Sequence, residues 1–80
     1  MTSVCYYIEN AFKQKGMLSA HALLLPEIEG IAVIVFRDDQ SEYPELWIQQ
    51  SGNDNDGYVF TCRDHPGTII IVPFDPIALT

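Results

Sequence analysis

The chain has 80 residues, with eleven acids against four bases and a formal charge of −7 at pH 7. The bases are Lys13, Lys15, Arg37 and Arg63, too few to neutralise a track of phosphates, which argues against direct nucleic-acid binding and against anionic membranes. No apolar run approaches the roughly 18–20 residues that span a bilayer, and the length suits one small domain, 1–80, that buries about 60–65% of its unfolded surface.

The start, Met1 to Cys5, lacks the charged region and apolar stretch of a signal peptide. Two cysteines, Cys5 and Cys62, are too few for a disulfide scaffold, so the expected setting is the reduced cytoplasm. Residues 3 to 15 read as a helix. Ser3 can cap it, Val4, Ile8, Ala11 and Phe12 recur at helical spacing, and Gly16 suits the position just past its end. Glu9 and Lys13 are one turn apart on the solvent side, and Lys13 and Lys15 sit where the helix dipole favours cations. Tyr6 and Tyr7 are successive, so they cannot both face inward.

The run Ala20-His21-Ala22-Leu23-Leu24-Leu25 fits either a strand or a short helix capped by Ser19. A strand is preferred, because Pro26 to Gly30 then makes a hairpin connection to the next run. Ile31 to Arg37 is rich in β-branched residues and reads as a strand. Further strands are expected at Leu46 to Gln50, Tyr58 to Arg63 and Thr68 to Val72. Turns are expected at Ser51 to Gly57 and Asp64 to Gly67, and Pro73 and Pro76 should leave Phe74 to Thr80 irregular or at an edge. The fold class is α+β: one N-terminal helix packed on a four- or five-stranded, mainly antiparallel sheet.

This architecture leaves apolar surface to be covered. A helix about 10–12 Å across shields about half of one face of a sheet roughly 20–25 Å wide. Yet residues 31–36 and 68–72 are apolar on both alternating sets of positions, so both faces are expected to be buried. The cover has to come from a second helix at 19–25, the C-terminal tail, strong sheet curvature, a second copy of the chain or another protein.

Four constellations carry candidate chemistry. Cys62-x-x-His65 has metal-ligand spacing, and Cys5 and His21 could complete a zinc tetrahedron; Cys62 with a histidine could also be a thiol nucleophile and base. The zinc set has only one close pair and two isolated ligands, and the thiol reading lacks a specified third orienting group, so the expectation is no metal, no cofactor and no catalysis. Asn53 to Gly57 has the composition of a calcium loop, but Gly57 at its sixth position would put Gly52 and Arg63 where carboxylates are required. Asp38, Asp39, Glu42 and Glu45 form an acidic run with no base among them, flanked by Tyr43 and Trp47. Acids that steer and aromatics that anchor are the parts of a docking surface for a basic partner. Trp47 has two readings, interface anchor and core residue. Asp54 and Asp56 add acids at the next turn, though in an antiparallel meander that turn falls at the other sheet end.

In size, acidity and lack of catalytic signatures the chain is similar to the small accessory proteins of phages and mobile elements, which include anti-CRISPR and other anti-defence inhibitors and toxin-immunity proteins. The resemblance implies a non-catalytic, protein-binding inhibitor that occludes a basic, nucleic-acid-handling partner in the host cytoplasm. The surface expected to do so is Asp38, Asp39, Glu42, Tyr43, Glu45 and Trp47, with Asp54 and Asp56. The alternative is a homo-oligomeric structural or regulatory subunit, and a small Cys/His metal or thiol enzyme ranks third.

Overall fold

A computed structural model describes residues 4–39, 42–53 and 57–73. Helix α1 (Val4–Gln14) is followed by β1 (Ser19–Leu25), a 3₁₀ turn (Pro26–Ile28), β2 (Gly30–Phe36), β3 (Glu45–Asn53), β4 (Gly57–Cys62) and β5 (Ile69–Val72). The five strands form one antiparallel sheet in the order of the sequence, β1-β2-β3-β4-β5, and the helix packs on one face of it.

The helix forms because its apolar stripe has a surface to meet. Ile8 and Phe12 are fully buried, and Phe12 meets Trp47 and Phe60 edge-on, with ring centroids 5.8 and 5.3 Å apart. Edge-to-face rings of this kind set one aromatic's positive rim on another's negative face. The helix closes with Gly16 at φ 98°, its N–H donating to the Lys13 carbonyl at 3.0 Å. Leu18 then donates to the Phe36 carbonyl at 2.9 Å and hands the chain into the sheet. Tyr6 is exposed, whereas Tyr7 is half-buried and its hydroxyl donates to the Pro73 carbonyl beyond the far edge strand.

The run at Ser19–Leu25 is a strand, paired in register from Ser19 opposite Phe36 to Leu25 opposite Gly30. Alternation then buries Ala20 and Ala22 under the helix, and their small side chains let α1 approach. Glu9 accepts the Ala22 N–H at 2.8 Å, so a carboxylate sits against the outer strand β1, where an open edge would otherwise invite another strand. The hairpin to β2 is tight: Pro26 opens a 3₁₀ turn and Glu29 closes it in the left-handed region at φ 51°.

Strand β3 corrects the expected turn at Ser51. It runs on to Asn53, with a register shift between Gln49 and Ser51 that marks a bulge opposite Phe60 and Val59. A bulge adds one residue to one strand and increases local twist, which a period-two reading of sequence does not register. Gly52, opposite Tyr58, has a φ of 148° that the bulged ladder requires. Ser3 and the expected tail, Phe74 to Thr80, lie outside the described residues.

Candidate functional site

The β2–β3 connection leaves the sheet after Phe36 and returns at Glu45, carrying the acidic run to one sheet end. Asp38, Asp39 and Glu42 are exposed there, and Tyr43 is 80% exposed. Glu45 differs from its neighbours. It is half-buried and accepts from Arg37 Nε at 2.7 Å and from Trp47 Nε1 at 3.2 Å, with His65 Nε2 at 3.4 Å. Asp64 is also tied down, its Oδ2 accepting the Leu46 N–H at 3.3 Å and its Oδ1 lying 3.6 Å from Arg63. The 38–45 and 64–67 connections therefore meet at one end of the sheet, cross-linked by Glu45 and Asp64.

Trp47 is fully buried, between the helix and the sheet, so it belongs to the core and presents no surface to a partner. The reason is parity: Trp47 stands opposite Val33 and Cys62 on the helix-facing side of β3. Asp54 and Asp56 lie outside the described residues; the strand ends that flank them, Asn53 and Gly57, are at the opposite sheet end. Of the eight residues expected to form one surface, Asp38, Asp39, Glu42 and Tyr43 thus share an exposed corner, and Glu45 braces its base.

The cysteines and histidines are dispersed. Cys62 is buried on the helix-facing side of β4, and Cys5 is on α1. His21 is exposed, opposite Ile34 on the other side of the sheet, and His65 is exposed beside Glu45. Among the described residues, no group of three or more His, Cys, Asp or Glu side chains is placed to hold a metal ion. Burial, and secondarily the negative charge of Glu9, push the Cys5 thiol up from its ordinary value. That is the reverse of what an activated nucleophile needs.

The second surface of note is the sheet face away from the helix. Both faces of residues 31–36 and 68–72 were expected to be buried; the structure buries Ile31, Val33, Val35 and Val72 on the helix-facing side, half-buries Ile70 there, and leaves Ile69 and Ile71 exposed on the other. Ala32 is buried, and Ile34, Phe36, Leu46 and Ile48 are half-buried around it. On the flanks, Leu23 is 47% exposed, Ile69 57% and Ile71 56%. The physical reason is the one helix: α1 lies on the opposite face, and no other described element crosses this one. Sequence patterning marked these strands as doubly apolar. It did not mark Leu23 as part of the same surface, because only the β1–β2 register aligns it with Ala32.

Comparison with family models, with curated proteins and with solved structures finds no match to this chain. Among the described residues, no helix is long and apolar enough to cross a membrane.

Proposed function

We propose that this chain is a non-catalytic protein-binding module, an inhibitor or accessory protein of the phage and mobile-element type, that docks on the basic surface of a nucleic-acid-handling partner. The observation that carries the proposal is the exposed corner of Asp38, Asp39, Glu42 and Tyr43. Its base is stiffened by the Glu45 contacts to Arg37 and Trp47, so the corner is presented from a braced strand end. Acids there would raise the encounter rate with a cationic surface, and the largely exposed Tyr43 ring supplies apolar area to anchor it. Occlusion of the partner's phosphate-binding groove needs no chemistry from this chain, in keeping with the dispersed cysteines and histidines. The proposed compartment is the cytoplasm, where the free thiols of Cys5 and Cys62 would stay reduced.

The test is affinity capture from host extract, followed by titration with the purified captured protein at low and moderate salt. Asp38→Lys, Asp39→Lys and Glu42→Lys together should weaken binding by about tenfold or more and flatten its salt dependence. Binding that is unchanged in the triple variant removes the proposal.

A further inference from the structure

We draw no further inference here: the strongest candidate, the apolar surface of Leu23, Ile69 and Ile71 on the sheet face away from α1, carries nothing because nothing in the structure shows what covers it.

Discussion

Glu45 has three nitrogens around its two oxygens, which sets it apart from the more exposed acids of its run. Its carboxylate is committed to Arg37 and Trp47 and is within 3.4 Å of His65, so its work is structural. The indole it anchors is one wall of the core, and Phe12 is the opposite wall. Phe12 is fully buried and meets the rims or faces of both Trp47 and Phe60, so it is the principal bolt between α1 and the sheet. Phe12→Ala would remove both ring contacts and leave a cavity that a sheet cannot close, at a cost of about 3–5 kcal/mol. A chain of this size has a total stability on the order of 4–12 kcal/mol, so the variant loses roughly a quarter of it or more and unfolds outright only if the parent lies at the low end of that range. Urea denaturation should show a much lower midpoint with the slope of the parent. A loss under about 1 kcal/mol would mean that the helix is held by something other than this ring.

At the scale of the element, the end of α1 and the β3–β4 hairpin hold two kinds of glycine. Gly16 at φ 98° has nothing within 4 Å of the place where a Cβ would stand, so Gly16→Ala carries the left-handed backbone cost alone, about 1 kcal/mol. At Gly52 the same methyl would fall 2.7 Å from the Gly57 carbonyl oxygen and 2.8 Å from the Tyr58 Cα, both backbone atoms. Gly52→Ala should therefore cost clearly more, about 3 kcal/mol or above, and hydrogen exchange should show the loss confined to β3 and β4 before the whole sheet opens. Equal losses at the two sites would show that the bulge yields without resistance. The same hairpin marks where sequence patterning stops being informative. The helix was legible because Val4, Ile8, Ala11 and Phe12 recur at its period and Gly16 closes it, and the strands because their β-branched runs are set off by Pro and Gly. The run at 20–25 suits a helix or a strand by composition, and what decides it is the partner: β2 offers a full antiparallel register. The extension of β3 to Asn53 was not legible, since a bulge shifts the side-chain parity and Ser51, Gly52 and Asn53 have turn composition.

For the whole molecule, the surface was less legible than the fold. The acidic run is plain in the sequence, but its division into exposed Asp38, Asp39 and Glu42 and braced Glu45 depends on Arg37, at the start of the same connection, turning onto Glu45 and on His65 arriving from the β4–β5 connection. Trp47 shows the same limit: one residue's shift in register would have put it on the open face. Net charge, in contrast, needs no register, and it has a consequence for the entire fold. Eleven acids against four bases leave an excess that the pairs Arg37–Glu45 and Arg63–Asp64 cannot offset, since exposed pairs contribute about 0–1 kcal/mol each. Folding draws the surplus carboxylates closer together than they are in the extended chain, so repulsion weighs on the native state more than on the unfolded one. Added salt shortens the Debye length from about 14 Å near 0.05 M to about 4 Å near 0.5 M and removes most of that repulsion. If this relieves about 1 kcal/mol, Tm should rise by about 4–8 °C over that range of NaCl, measured at a few micromolar protein so that association adds nothing. A Tm that falls with salt would mean that the attractive pairs outweigh the surplus, with the folded chain held together by its charges in spite of their sign.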